Sequence, residues 1–308
     1  MIYHLKLWGL IISIQNYLNI KIQLILSLLT LICIAINLYG IEISLQILTP
    51  VITAFIIDVI IHFVKFQKLT IPWGAIISGM IIGLMSIRAQ ALYIPFLTAV
   101  VAIISKHVIR KRKKNIFNPA AFSLLIVSFL FPREFYLNHS NYLLERSSVY
   151  FAYSYLRLNK WEVLIWSTHC AIGFASSMAI IVLGLLIAYR ARKLNLTLSF
   201  LITYASIFTI CALYVNQDVS IRLLIEFFGA GGGLFFFTFF MLTDPPTSPL
   251  HNQNIYGVIT ALMAFILRFI INPIQFLLIT LILMNALVDL IDIKLIQLSN
   301  SIKKLFRV

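Results

Sequence analysis

Two short stretches carry most of the polar chemistry in this chain. In RKRKKNIFNPAAF (110–122), Asn118 and Pro119 stand at the start of an apolar run. Asn is a strong N-cap, and Pro suits N1 because its missing N–H would be unpaired there anyway. Free amides and the positive end of the helix dipole at such a start offer a place for an anionic or carbonyl-bearing ligand. The plainer reading is a capped helix behind a basic topology anchor. In MLTDPPTSPL (241–250), Pro245 and Pro246 stop a helix, while Thr243 and Asp244 can hydrogen-bond local backbone. That is either a stiff turn or a rigid loop holding Thr243 and Asp244 against a cofactor or a partner subunit.

Lys106, Arg268 and Asp289 are ionisable groups at or inside apolar segments, where charge is costly and usually paired. Lys106 and Arg268 lie near helix ends and could instead snorkel to the interface. Asp58 and His62 stand at i, i+4 as a pair could, and His62 shares one side of the membrane with His107. No spacing separates these from boundary histidines, which leaves bis-His haem without support. Cys33, Cys170 and Cys211 lie in apolar stretches without CxxC spacing, against a disulfide framework or a four-thiolate cluster. Neither a nucleotide loop, a catalytic triad nor a zinc motif is present.

The elements that must hold these residues are membrane helices. The chain is 61% apolar and 11% charged over 308 residues, with mean hydropathy +0.99. A soluble domain is about 45–50% apolar and about 25% charged. The net charge of +14 sits in short clusters between apolar runs, the footprint of membrane topology and not of nucleic-acid binding. The first twenty residues lack a compact apolar core followed by a small-residue cleavage site, so no cleavable signal peptide is expected. About ten spans are predicted, near 21–40, 42–64, 73–88, 90–109, 117–131, 163–189, 196–215, 219–241, 255–271 and 274–298. An even count puts both termini on one side. With that side cytoplasmic, most of the 24 Lys and Arg residues face the cytoplasm, as the positive-inside rule requires. The expected protein is a multi-pass, all-α protein of the cell (inner, cytoplasmic) membrane. It divides into an amphipathic lead-in (1–20), a first five-helix set (21–131), an extracytoplasmic loop (132–162), a second five-helix set (163–298) and a basic tail (299–308).

The two sets echo each other. SGMIIGLMSIRAQALYIP (78–95) aligns without a gap on FGAGGGLFFFTFFMLTDP (228–245), matching Gly79 to Gly229, Gly83 to Gly233, Leu84 to Leu234 and Pro95 to Pro245. Lys106 then has a counterpart in Arg268, and Asn118 in Asn285. Five being odd, successive five-helix units enter the membrane from opposite sides. This predicts two inverted five-helix repeats with a site near their interface. Glycines four apart also recur in membrane helices simply because they permit close packing.

ISGMIIGLMSI, ISKHVIRKRKKNIFNPAAF, GGGLFFFTFFMLTDPPTSP, NIYGVITALMAFILRF and LMNALVDLID together resemble the D subunit of the Rnf electron-transport complex and the B subunit of sodium-translocating NADH:quinone reductase. The resemblance implies a ten-helix inverted-repeat subunit passing electrons across the membrane through flavins, in a complex coupled to Na+ or H+ movement. Members attach FMN to a Thr in a Ser-Gly-Ala-Thr-like motif on the outer side. Here AIGFASSMAI (171–180) keeps Ile172, Gly173 and Ser176 but has Phe174 where the family carries Glu, and 132–162 contains no glycine. Thr168 lacks the Gly-Ala context, so covalent FMN is not expected. Members also hold a noncovalent riboflavin near the Asn-Pro-Ala helix start. The resemblance therefore implies a noncovalent flavin, riboflavin or FMN, at Asn118, Pro119 and Ala120. Thr243 and Asp244 would form the opposing wall, with Gly79 and Gly83 in the aligned helix. Lys106, Arg268, Asn285 and Asp289 are the candidates for a buried polar network. The implied partners are the lipid bilayer and other membrane or flavin/Fe–S subunits. The alternative is a relative without a redox role, acting as a transporter or accessory membrane protein.

Overall fold

A computed structural model describes residues 2–67, 71–86, 91–111, 114–132, 134, 171–214, 232–271 and 275–305. Ten α-helices occur among them: α1 (Ile2–Tyr39), α2 (Ile43–Phe66), α3 (Trp73–Met85), α4 (Tyr93–Val108), α5 (Pro119–Leu130), α6 (Ser177–Arg190), α7 (Leu194–Tyr214), α8 (Gly232–Phe236), α9 (Gln253–Ile270) and α10 (Gln275–Leu305). A π-helical turn, Phe237–Met241, continues α8, and a 3₁₀ turn, Ile172–Phe174, precedes α6. The only strands among the described residues are β1 (Arg110–Lys111) and β2 (Lys114–Asn115), paired antiparallel between α4 and α5. The predicted lead-in and first span form one continuous helix, and α10 runs on through most of the expected basic tail. Thr168, Gly229 and nearly all of the 132–162 loop lie outside the described residues.

Five helices are long and apolar enough to cross a membrane, over Ile20–Tyr39, Ile43–Lys65, Leu194–Cys211, Gln253–Ile270 and Gln275–Asp292. Their outer faces carry exposed Leu26, Ile52, Val64, Ile202 and Ile266. So much outward apolar surface would be a liability in water and is what a lipid-facing wall requires. The protein is a multi-span membrane protein.

The helices α3 and α5 are shorter, with 13 and 12 residues. At 1.5 Å per residue each extends roughly 20 Å, less than the ~30 Å hydrocarbon core. Where such a helix stops inside the hydrocarbon region, the backbone beyond that end must be buried in protein or line a cavity. Packing on neighbours holds them in place. A Cβ on Gly79 would come within 2.6 Å of the Val51 Cα of α2, and one on Gly83 within 2.9 Å of the Ile47 Cα. The absence of both side chains lets α3 lie backbone-to-backbone on α2. The helix α5 runs antiparallel to α10: Gln275 Nε2 donates to Ser128 Oγ at 2.9 Å, while Asn285 meets Asn118 at the other end.

The segment from Phe235 to Met241 lies at the centre. Phe236, Phe237, Phe239, Phe240 and Met241 are each at most 2% exposed, as expected of a helix that is apolar all round. Phe236 stacks on Phe240 and Phe235 on Phe239. A Cβ on Gly184 would come within 2.4 Å of the Phe239 ring, so α6 also approaches this segment closely.

Candidate functional site

A cavity of about 630 Å³ opens where the ends of several helices meet. Its walls include the start of α3 (Pro72, Trp73, Gly74), the start of α5 (Asn118, Pro119), and the π turn with the loop after it (Phe240, Thr243 to Pro246). Ile77 and Ile81 of α3 and Leu24 of α1 add apolar wall, and Lys21, Lys106, Arg110 and Lys114 supply positive charge.

Asn118 behaves as its sequence context predicts. Its Oδ1 accepts the Ala121 N–H at 3.2 Å, with Pro119 at the first helical position. Its Nδ2 donates to the Met241 carbonyl at 3.4 Å and to Asp244 Oδ2 at 3.5 Å. The Asn118 backbone N–H meets Asn285. With the Asn285 amide oriented by its neighbours, its Oδ1 accepts that N–H at 3.0 Å and its Nδ2 donates to the Thr247 carbonyl at 3.2 Å. Both Asn side chains are 3% exposed, so each amide bridges elements distant in sequence.

The turn after the π segment explains the prolines. The wide turn closes with Leu242 N–H donating to the Phe237 carbonyl at 2.8 Å, a five-residue step. In a continuing α-helix residue 245 would donate to the carbonyl of residue 241, but Pro245 has no N–H to give. The Met241 carbonyl instead accepts from Asp244 N–H and from Asn118 Nδ2, each at 3.4 Å. The Asp244 carbonyl accepts from Thr247 and Ser248 N–H at 3.1 and 3.0 Å, and Thr247 Oγ1 donates to Asp244 Oδ2 at 3.3 Å. Burial pushes the Asp244 carboxyl from the ordinary 3.8 up to about 6, against the Thr247 hydrogen bond and the cations Lys21 and Lys193. Thr243 turns back on its helix, its hydroxyl donating to the Phe239 carbonyl.

Asp58 of α2, which also lines the cavity, is fully buried. Lys106 Nζ contacts both of its oxygens, at 3.0 and 3.1 Å, and His107 Nε2 lies 2.6 Å from Oδ1. Lys106 is therefore paired and does not merely snorkel. A Cβ on Gly74 would lie 3.6 Å from Lys106 Nζ, which places the ammonium at the start of α3.

A sequence model of the NQR2, RnfD, RnfE family matches residues 12–299. The chain belongs to this family. Among curated proteins, none matches it. Of the residues singled out in this NQR2/RnfD/RnfE-family chain, Asn118, Pro119, Thr243, Asp244 and Lys106 line one cavity. Ala120 is buried just behind it in the first turn of α5, and Asn285 supports it through Asn118. Gly79 and Gly83 lie away from it, in the α2–α3 contact. Arg268 sits 5.1 Å over the Phe208 ring between α9 and α7, and Asp289 forms an exposed pair with Lys111 at 2.9 Å. Sequence reasoning missed Trp73, Gly74 and Lys21 as cavity residues. It also missed that Asp58, whose i, i+4 spacing to His62 was visible, takes Lys106 and His107 as partners from a helix 48 positions away.

Proposed function

We propose that this family member is the membrane subunit of an Rnf/Nqr-like electron-transport system and holds a flavin noncovalently in the cavity at Asn118. The observation that carries this reading is the convergence of the Asn-Pro-Ala helix start and the Thr-Asp-Pro-Pro turn, one from each half of the chain, on a single cavity. The residues present fit the group. The volume lies within the roughly 300–1,000 Å³ of small-molecule sites, which are mostly apolar with a few placed polar groups. Trp73, Ile77, Ile81 and Phe240 offer flat or aliphatic walls, while Asn118, Ser78 and Asn115 offer hydrogen-bonding groups. Lys21, Arg110 and Lys114 give the rim a cationic edge suited to a phosphate or an anionic ring.

A bound flavin would supply reversible one- and two-electron transfer. The chain's own part is to fix its position between rigid helix ends, to exclude water with Phe240 and the isoleucines, and to set the local charge through Lys21, Lys106 and Asp244. The subunit works with other membrane or flavin/Fe–S subunits in a complex coupled to Na+ or H+ movement and is not catalytic alone. About ten spans in two inverted repeats, with both termini cytoplasmic, complete the proposal. The supporting observations are that α4 packs on α5 as α9 packs on α10, that α2 packs on α4 as α7 packs on α9, and that the aligned Asn118 and Asn285 touch.

The test is an absorption spectrum of the detergent-purified protein, repeated on the supernatant after acid precipitation. Flavin bands released into the supernatant are expected. Asn118→Ser keeps a capping oxygen but loses Nδ2, and should lower the flavin content of a folded protein. A preparation that stays colourless after incubation with riboflavin and FMN would overturn the reading. Flavin retained in the pellet would show covalent attachment instead.

A further inference from the structure

Three side chains that commonly ligate metals converge at the cavity wall, on α2 and α4. Asp58, His62 and His107 each offer a ligand atom, and these atoms all lie within 4.8 Å of one another. Asp58 and His62 are one turn apart on α2, with His62 Nε2 3.9 Å from Asp58 Oδ2. His107 comes from the end of α4, and its ring meets His62 edge-on at 5.6 Å between centroids. Lys106 alone contacts both carboxylate oxygens, so neutralising the Asp58 charge does not require two imidazoles as well. Asp58 and His62 also line the cavity, which gives an ion and its remaining water ligands a route of entry.

We infer that Asp58, His62 and His107 form a site for a divalent transition-metal ion of the Zn2+ type, with the Lys106 ammonium as the internal cation that the metal displaces. The donor set of two imidazoles and one carboxylate, with a position left for water, is that of an open zinc site. Metal–ligand bonds of about 2.0–2.2 Å in a tetrahedron separate neighbouring ligand atoms by roughly 3.3–3.6 Å. The His107 contact of 2.6 Å to Asp58 Oδ1 must therefore widen, and the His62 distance of 3.9 Å to Asp58 Oδ2 must close by a few tenths of an ångström. Any pair near the 4.8 Å limit must close by about 1.2–1.5 Å. His107 ligates through Nε2 once its proton has moved to Nδ1 or left to solvent. Lys106 Nζ, which lines the cavity beside Gly74, would then withdraw from Asp58 into the cavity. Since Lys106 stays on the cavity wall, a bound dication adds two positive charges to a cavity that already carries Lys21, Lys106, Arg110 and Lys114. Metal occupancy thus tunes the charge of the cavity whatever ligand fills it.

The test uses the full-length, tag-free protein in detergent, stripped with chelator and titrated with Zn2+ by calorimetry. Co2+ serves as the spectroscopic probe. Wild type should bind one equivalent of Zn2+. The half-exposed His62, changed to His62→Ala or to the size-conserving His62→Gln, should weaken binding about tenfold or more. Lys106→Met should tighten it by a similar factor, because the competing cation is gone. Co2+ should give the visible bands of an imidazole-ligated tetrahedral ion in wild type and lose them in His107→Gln. Unchanged Zn2+ affinity in a folded His62 variant would overturn the proposal, as would the absence of binding in both wild type and Lys106→Met.

Discussion

The Asp58–Lys106 pair gives the sharpest test of how the cavity wall is held. Asp58 is 1% exposed and Lys106 16% exposed at the side chain, with contacts of 3.0 and 3.1 Å. At an effective dielectric of 20, opposite charges about 3 Å apart attract by roughly 5 kcal/mol. Desolvation of both groups offsets much of that, so the pair as a whole contributes little, but removal of one partner strands a buried charge at a cost of about 3–5 kcal/mol. Asp58→Asn strands the Lys106 ammonium, and Lys106→Met leaves the Asp58 carboxylate with only the His107 and His62 contacts to compensate. Each single substitution should cost about 3 kcal/mol or more, whereas the double variant should recover most of it. For a chain of this size 1 kcal/mol moves a melting midpoint by roughly 2–4 °C, so each single variant should melt about 6–12 °C lower in detergent. Intrinsic fluorescence from the tryptophans, Trp73 among them, is a suitable readout. Losses that simply add in the double variant would refute a coupled pair, and single-variant shifts below about 2 °C would refute its burial.

Two further outcomes follow from the same geometry. Gly79→Ala places a Cβ 2.6 Å from Val51 Cα and 2.8 Å from the Pro50 carbonyl; since backbone cannot swing aside, α3 must move off α2 at a cost of about 1–3 kcal/mol, while Gly74→Ala, whose Cβ meets only Lys106 Nζ and Cε at 3.6 and 3.8 Å, should melt close to wild type. Equal melting midpoints for the two variants would contradict close α2–α3 contact. Asp244 should make stability fall as pH rises: its folded pKa of about 6 lies above the ordinary 3.8, so the folded chain holds the extra proton between these values. That contribution is present at low pH and is lost as pH climbs through about 6. Asp244→Asn should flatten melting midpoints between pH 4 and pH 6, and an unaltered slope would show that another group is responsible.

What the sequence disclosed followed from local chemistry. Asn118-Pro119 is a cap wherever the helix goes, and long apolar runs are membrane helices whatever their neighbours, so these features were legible. Element limits blurred where tertiary contacts decide. The helix α3 ends at Met85 and not further on because Ser86 N–H turns back to the Gly83 carbonyl while the Ser86 carbonyl accepts from Ile172 N–H at 3.0 Å, 86 positions away. Gly79 and Gly83 could be read equally as ligand-facing or helix-facing, since spacing fixes a face but not what that face meets. The same limit hid the partners of Asp58. Its i, i+4 spacing to His62 lies within one helix, but Lys106 and His107 reach it only because α2 packs on α4.

The three prolines of TDPPTSP are more than a helix stop. A single proline would end the π segment, but the cavity needs a carbonyl that the helix does not use and a turn that cannot relax to use it. Pro245 withholds the N–H that would claim the Met241 carbonyl, and Pro246 withholds the one that would claim Leu242. The Met241 carbonyl is thereby left for the Asn118 amide, and the start of α5 is tied to the end of the central aromatic helix. Asn285 then clamps the same Asn from the α10 side and holds the Thr247 carbonyl of the turn. The Asn118 cap of α5 is buried, so its polar groups must be met by protein. The rigid turn meets them. The resulting gap between one helix start and one helix end, closed laterally by the α3 start with Trp73, is the cavity itself. Its position is thus set by hydrogen-bonding demands that the buried helix ends create, before any ligand enters.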